Sequence, residues 1–406
     1  MTTHRHDIIV VGAGIAGAAT AHYLSERGHR VLILDSVRPA HGASGRNPGF
    51  LWLQTKSAGL QMEFALAGRQ FAASIADDLG EFGFRACGGL IVYRDERLAP
   101  IAEAFVADRC AGGLAVEHVD RAQLLSLCAA FGPKVVGGVY NPLDAYQDTA
   151  ALVARFVALS LARGAVLRAP ANVSSLLMSG GTCRGVVLDS AEEIGAAHVV
   201  LASGLDTVRI LEAAGLRMAP WDIYRFEAAA TAATELEIEP VICGQALFRF
   251  FTPVGVDRAA VEALTRHHLD ESDPPLRFTE QIVRSADGRI RFGCAFTTSP
   301  ANDQPTVKGQ AMASSILPET IPALAGLSLE RSWAGLVCQP KDGLPVIDPR
   351  PGIDGLSINS GHFFGNLVGA YAGSLLASDM SGDRPAYDLT PFALGRHSTQ
   401  ARHSNQ

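Results

Sequence analysis

The chain reads as an α/β protein, a doubly wound parallel-sheet domain interleaved with a strand-rich α+β domain. Three observations predict this. The N-terminus opens on an apolar strand, a glycine-rich turn, a helix and a second strand. Buried-type strands followed by small residues or a helix return in the middle and near the end of the chain. Between them, residues from about 221 to 298 are rich in strands, with a helical interruption near Arg258–His268.

The opening unit carries the sharpest signal. Asp7-Ile8-Ile9-Val10-Val11 leads into Gly12-Ala13-Gly14-Ile15-Ala16-Gly17, then a helical stretch, then Val31-Leu32-Ile33-Leu34-Asp35-Ser36. Gly12 permits the tight turn, Gly14 lets backbone approach a pyrophosphate, and Gly17 lets helix and strand pack closely. The helix N-terminus offers N–H groups and a positive dipole end to phosphates. Asp35 stands where a carboxylate holds ribose hydroxyls, and it would repel the extra phosphate of NADP. The unit binds the adenosine diphosphate half of FAD or NAD, and the motif alone does not choose between them.

At 406 residues the chain suits two domains. Hydrophobic residues make up 48% and charged residues 18%, enough for sizeable cores. The net charge of −7 and the absence of like-charge blocks speak against nucleic acid as a partner. Arg5 and the apolar run after it resemble a secretory signal, but the strand and glycine turn account for those residues better. No apolar run reaches the roughly 18 residues of a membrane helix. Seven scattered cysteines, none in C-x-x-C, suit a reducing cytoplasm. No His/Cys/Asp cluster has metal-ligand spacing, so no metal site is expected.

Beyond the first unit, a polar Gly-rich stretch runs from His41 to Gly49 and apolar residues recur at helical spacing from Ala58 to Phe82. Gly88–Tyr93 and Val135–Tyr140 read as strands. Asp148 is positioned to cap a helix over Thr149–Arg163. Strands follow near Ala165–Leu167, Asn172–Met178, Cys183–Asp189 and His198–Leu201, the last ending in Ala202-Ser203-Gly204. The final third has helices near Lys308–Ile316 and Leu367–Met380, with strands near Glu330–Cys338 and Gly355–Asn359. The expected division gives 1–85, 145–220 and 325–395 to a nucleotide-binding domain, and 86–144 and 221–324 to a substrate domain. Residues 396–406 form a polar, flexible tail.

Five segments in this order, the opening fingerprint, Gly42–Gly49, Val199–Gly204, Asp342-Gly343-Leu344-Pro345-Val346-Ile347 and Ser360-Gly361-His362-Phe363-Phe364-Gly365-Asn366, together resemble the D-amino acid oxidase superfamily of FAD-dependent amine and amino-acid oxidoreductases. That group includes glycine oxidase, sarcosine oxidase and the flavin subunits of opine and hydroxyproline dehydrogenases. The resemblance spans nearly the whole chain. It implies a Rossmann-like FAD-binding domain of the GR2 type and a second domain whose large antiparallel sheet lies over the flavin. FAD contacts are expected from Gly12 through Gly17, Asp35, Ser36, Ala43, Ser44, Arg46, Asn47, Gly49, Val173, Ser203, Gly204, Gly361, His362, Phe364, Gly365, Asn366 and Leu367. Arg46 adds positive charge for the pyrophosphate, or is an ordinary surface arginine. Val173 pairs its backbone with adenine or is a core valine. Asn366 reads as an N-cap. The helix it opens would aim its positive end at the flavin pyrimidine, stabilising the charge that develops on reduction.

The family's chemistry is hydride transfer from an amine-bearing α-carbon to flavin N5, followed by hydrolysis of the imine. Only a neutral amine is required, so no acid–base constellation is needed. A carboxylate on the substrate would need an anchoring arginine. Arg225, Arg249, Arg284 and Arg291 are offered by the strand-rich region. Arg249, among Phe248, Phe250 and Phe251, is either the clamp or an edge-strand arginine covering aromatics. Arg291 falls where the resemblance implies a fixed charge near the flavin, or one residue of register turns it to solvent. His362 is either catalytic or hydrogen-bonded structure, and Trp52 lines the pocket or sits in the core. Cys338 lies only four residues before Asp342, closer than in members with covalent flavin, so noncovalent FAD is expected. Electrons would pass to oxygen or a redox carrier, with a homo-oligomer or partner redox subunits as assembly options. An NAD-dependent dehydrogenase and a flavin-binding protein without turnover are the alternatives.

Overall fold

The computed structural model describes residues 6–216, 220–253, 255–266, 269–270, 275–298, 300 and 302–396. The chain divides into two compact units, each assembled from separated stretches of sequence. The first holds residues 1–45, 149–223 and 337–406; the second holds 46–148 and 224–336.

The first unit is built on a six-stranded sheet in the order Val346–Asp348, Leu356–Ser360, His198–Leu201, Ile8–Val11, Val31–Leu34, Val166–Arg168. Every pairing is parallel except that of the first two strands. Parallel strands covered on both faces need apolar residues throughout, which is why Ile8–Val11 and Val31–Leu34 are buried at every position. On one face, Ile9, Val11, Leu32, Leu34, Val199 and Leu201 pack against Val173, Leu176, Val186 and Leu188 of a three-stranded antiparallel sheet. The helices Ile15–Glu26, Thr149–Ala162 and Gly365–Met380 also belong to this unit, and the first packs against both others.

The second unit carries a nine-stranded, mainly antiparallel sheet. Its principal order is Leu329–Gln339, Asp222–Ala233, Arg289–Thr298, Leu276–Arg284, Val241–Gly244, Gly89–Tyr93, Gly137–Asn141, Glu117–Asp120. Ile290 and Phe292 of one strand, Phe278 and Ile282 of the next, and Leu90 and Val92 further along share a core with Ala313, Ile316 and Leu317 of the Val307–Thr320 helix. That helix therefore covers one face of the sheet.

Residues 46–85, expected with the nucleotide-binding domain, fall in the second unit. Tertiary pairing decides this: Phe50 and Leu51 pair with Tyr146 and Ala145, and Arg69 of the Leu60–Leu79 helix donates to the Leu143 carbonyl. The same division starts the C-terminal stretch of the first unit at Val337, not 325. Arg249 lies in a one-turn helix, Leu247–Phe250, and not on a strand. Of the expected 258–268 interruption, the helix covers Arg258–Leu264, while His267 and His268 lie outside the described residues, as does the tail from 397.

Candidate functional site

In the first unit the glycine turn forms a tight cradle. A Cβ on Gly12 would lie 2.4 Å from the Ala202 carbonyl oxygen, and one on Gly17 only 1.9 Å from the Gly12 carbonyl oxygen. The turn is braced from two sides. Asp35 Oδ2 accepts from the Ala13 N–H at 2.9 Å while its Oδ1 accepts from Val37 N–H. Ser44 Oγ accepts from the Ile15 N–H at 2.9 Å, a cap supplied from 29 residues along the chain. The first turn of this helix carries no acidic residue. Among the described residues, the only group a Cβ on Gly14 would meet is Ser44 Oγ at 3.1 Å. Backbone can thus approach a phosphate there, so these residues fit the adenosine diphosphate half of FAD.

A second helix start lies beside the first. A Cβ on Gly369 would come within 2.8 Å of Ile15 Cγ2, and one on Gly373 within 2.7 Å of Ala19 Cβ. Successive glycines of Gly365–Met380 therefore seat successive turns of Ile15–Glu26, so the two helices run parallel. Their N-termini lie at the same end, where the dipoles favour negative charge. This helix also lacks acidic residues in its first turn. It begins at Gly365 with Phe364 at the cap position, so Asn366 is inside the first turn and is not the N-cap. The side chain of Leu367 is buried, leaving its backbone for any cofactor contact.

His362 is held by a chain of hydrogen bonds. Thr20 Oγ1 donates to Ala16 O at 2.7 Å and receives Asn359 Nδ2–H at 3.1 Å. That leaves Asn359 Oδ1 to accept from His362 Nε2–H at 2.7 Å. Nδ1 then keeps its lone pair, is buried, and has no partner among the described residues. Burial pushes the imidazole down to about 4, so the ring is neutral near pH 7. His362 is thus a fixed acceptor, a role its sequence neighbours do not reveal because Thr20 and Asn359 are not marked by any local motif.

Ser203 Oγ and Thr207 Oγ1 lie 3.0 Å apart, and Thr207 continues the chain to Ser360 Oγ at 2.8 Å. Gly204 and Gly361 both have positive φ, which the turns at those strand ends require. Val173 sits in the core with its carbonyl accepting from Arg209, Ala43 opens the short Ala43–Arg46 helix, and Ser36 is exposed. Cys338 is buried and its thiol is pushed up to about 12 by that burial, which disfavours the thiolate a covalent flavin link would use.

In the second unit most of the expected cations are already matched. Arg46 donates to Asp303 at 2.7 Å and to the Ala334 carbonyl, while its own carbonyl accepts from Trp333 Nε1–H. Its guanidinium is thus ion-paired with Asp303, a partner no local motif marks. Asn47 Oδ1 accepts from Gly49 N–H, and Gly49, at φ +95°, lies under the Tyr146 ring where no side chain fits. Arg291 pairs with Asp148 at 2.7 Å. Ile290 and Phe292 face the core, so Arg291 points to the other face, where it is paired with Asp148. Arg225 pairs with Glu227 at 3.0 Å and reaches Asn302, so it too is spoken for. Arg284 pairs with Glu237 at 3.6 Å. Arg225, Arg284 and Arg291 each still leave a buried Nε without a partner among the described residues; Arg249 differs in having no ion pair among them, with a buried, unpartnered Nη1.

Trp52 is buried with its indole N–H unpartnered among the described residues, and its ring and the Asp144 carboxylate both press on Gly89. Nothing in the sequence singles out the polar cluster around it. Asp144 is fully buried, accepts from Leu53 N–H and Gln54 Nε2, and is raised to about 7, chiefly by burial. Lys56 is buried nearby, and burial drives its amine well below the usual lysine range.

The family model for FAD-dependent oxidoreductases of the DAO type matches residues 7–379. Glycine oxidase of Geobacillus kaustophilus is 25% identical over 405 residues, covering 97% of this chain and 98% of that protein. An opine oxidase subunit from Rhizobium meliloti is 25% identical over 411 residues, covering 97% and 98%. Among solved structures, that of glycine oxidase from Geobacillus kaustophilus shares the fold with a TM-score of 0.81 at 23% identity, covering 97% of this chain and all of that one. Family match, cradle and paired helix starts agree, and the chain belongs to the DAO family of FAD-dependent oxidoreductases.

Proposed function

We propose that this oxidoreductase oxidises the C–N bond of a small amino acid or secondary amine: an N-substituted glycine, a D-amino acid, a proline-like acid or an opine. FAD, when bound, supplies the acceptor for the hydride that leaves the substrate α-carbon. The chain's own residues do the rest. The Gly12–Gly17 turn and Asp35 hold the adenosine diphosphate end. The start of Gly365–Met380 provides a positive dipole end, and neutral His362 offers a fixed lone pair. The imine product hydrolyses without an enzymic acid. The 1–45, 149–223 and 337–396 stretches serve the cofactor, and the second unit serves the substrate.

The observation that carries the amino-acid assignment is Arg249. Of the four arginines offered for the carboxylate, Arg225, Arg284 and Arg291 are ion-paired, whereas Arg249 keeps a buried Nη1 without a partner among the described residues. A buried donor left unmade costs about 1–3 kcal/mol, more when charged, and a substrate carboxylate removes that penalty. Scattered free cysteines suit a cytoplasmic setting, and no helix among the described residues is long and apolar enough to cross a membrane.

The test is anaerobic mixing of FAD-reconstituted protein with N-alkyl glycines, D-amino acids, proline analogues and opines. At least one should bleach the flavin absorbance. If dithionite bleaches it and no amine does, the reading fails. The likeness to the Rhizobium opine oxidase protein along the chain supports a second reading, a flavin-bearing chain that passes electrons to a partner redox protein. Slow reoxidation in air together with a copurifying redox protein would favour it.

A further inference from the structure

The second unit's sheet has an aromatic face, and one of its rings, Phe250, belongs to the same one-turn helix as Arg249. Glu227 faces the Val307–Thr320 helix: its carboxylate accepts from Thr306 N–H at 2.8 Å, and a Cβ on Gly309 would lie 2.3 Å from its Oε2. Strand alternation then turns Tyr224 and Phe226 to the opposite face. Phe226 stands directly across from Phe296 in the neighbouring strand. Their rings stack with centroids 5.4 Å apart, Tyr224 lies 6.1 Å from Phe226, and Phe250 meets Phe296 edge-on at 5.2 Å. The four rings form one unbroken chain. None is fully buried, whereas Phe278 and Phe248 are completely enclosed. Phe250 is the immediate neighbour of Arg249, whose Nη1 is buried and unpartnered among the described residues.

An arginine with no ion pair among the described residues, in the same turn as a half-buried ring of this chain, suits an amphiphilic acid. The carboxylate satisfies the arginine, and an apolar group covers the rings and gains edge or stacking contacts. Glycine or sarcosine would satisfy the arginine and leave the rings wet. Resting on the amino-acid reading above, we infer that the substrate is an amino acid whose side chain or N-substituent is bulky and apolar, aromatic above all, with Tyr224, Phe226, Phe250 and Phe296 setting that preference.

The experiment compares kcat/KM of the FAD-loaded protein for sarcosine, N-benzylglycine, D-alanine and D-phenylalanine, and the binding of phenylacetate and acetate by flavin difference spectra. The phenyl-bearing member of at least one amine pair should exceed its small counterpart by on the order of 10- to 100-fold, and phenylacetate should outbind acetate similarly. Phe296→Ala should shrink these ratios about tenfold, chiefly through KM. Phe250→Leu, a gentler change should the first variant fold poorly, should shrink them in the same direction. Small substrates matching or exceeding the phenyl ones, with acetate binding as well as phenylacetate, would overturn the inference while leaving amine oxidation intact. Ratios unmoved by either variant would overturn it too. If no amine bleaches the flavin, the catalytic reading has failed instead, and the phenylacetate comparison still decides the aromatic site.

Discussion

Gly14 and Gly17 lie three residues apart in one turn, yet their replacement by alanine should fail in opposite ways. A Cβ on Gly17 would stand 1.9 Å from the Gly12 carbonyl oxygen and 3.2 Å from Ala202 Cβ. Carbon contacts settle at about 3.5–4 Å, so the Ile15–Glu26 helix would have to back off the sheet by roughly an ångström or more. It cannot do so freely, because Gly369 and Gly373 seat Ile15 and Ala19 on its other side. Overpacking of this kind costs about 1–3 kcal/mol. For a unit of this size, that should lower the apoprotein Tm by roughly 2–12 °C. Gly14 is different. Its φ of −76° and ψ of −176° suit any residue, and among the described residues a Cβ there meets only Ser44 Oγ at 3.1 Å. Gly14→Ala should move Tm by no more than about 2 °C. Its methyl group, however, would stand where the pyrophosphate approaches the backbone. Each charge-assisted hydrogen bond weakened there contributes about 1.5–3 kcal/mol. The FAD Kd should rise on the order of 10- to 100-fold. FAD titration by fluorescence quenching, beside thermal melts of the apoproteins, reads both effects. A Gly14→Ala protein that binds FAD like the parent, or that melts as low as Gly17→Ala, would refute the placement of the cofactor at this turn.

Arg249→Leu should raise KM for amino-acid substrates about 10- to 100-fold, and should leave an amine without a carboxylate far less affected; steady-state kinetics on an acid and its decarboxylated counterpart measure the difference. His198 and His362 are both pushed down to about 4 by burial from the usual 6.5. Their lowered folded values mean that the unfolded chain binds protons first. Their contribution is therefore complete above pH 6.5 and is lost as pH falls from 6.5 toward 4, by up to about 3 kcal/mol for each histidine. Urea melts across that range should show the loss, and replacing either histidine with glutamine should shallow the slope. Acid precipitation of the holoprotein should release all flavin to the supernatant, given the buried, protonated Cys338 thiol; yellow protein in the pellet would contradict noncovalent binding.

The nucleotide turn was legible in sequence because its chemistry is local. Gly12, Gly14, Gly17 and Asp35 lie within one strand–helix–strand unit, and the structure places Asp35 on the turn itself. The parallel strands announced themselves as continuous apolar runs, because both of their faces are covered. What escaped was set by partners remote in sequence. Nothing local to Arg46 marks Asp303, its ion-pair partner 257 residues away. Nothing local to Arg291 marks Asp148 as its ion-pair partner. The expected domain edge at 85 moved to 45 because Phe50 pairs with Tyr146. The edge-strand alternative for Arg249 fell because a one-turn helix overrode the strand propensity of three nearby phenylalanines. Lys56 and Asp144 carried no local mark at all, and only the fold buries both.

The central claim is oxidation of a substrate C–N bond at the cofactor. Its most direct test is an anaerobic single turnover of the FAD-loaded protein with the best acyclic amine from the panel, with products identified by mass spectrometry. One equivalent of carbonyl product and one of released amine or ammonia should form for each flavin bleached. Bleaching without release of amine or ammonia, or a product that keeps its C–N bond, would contradict it.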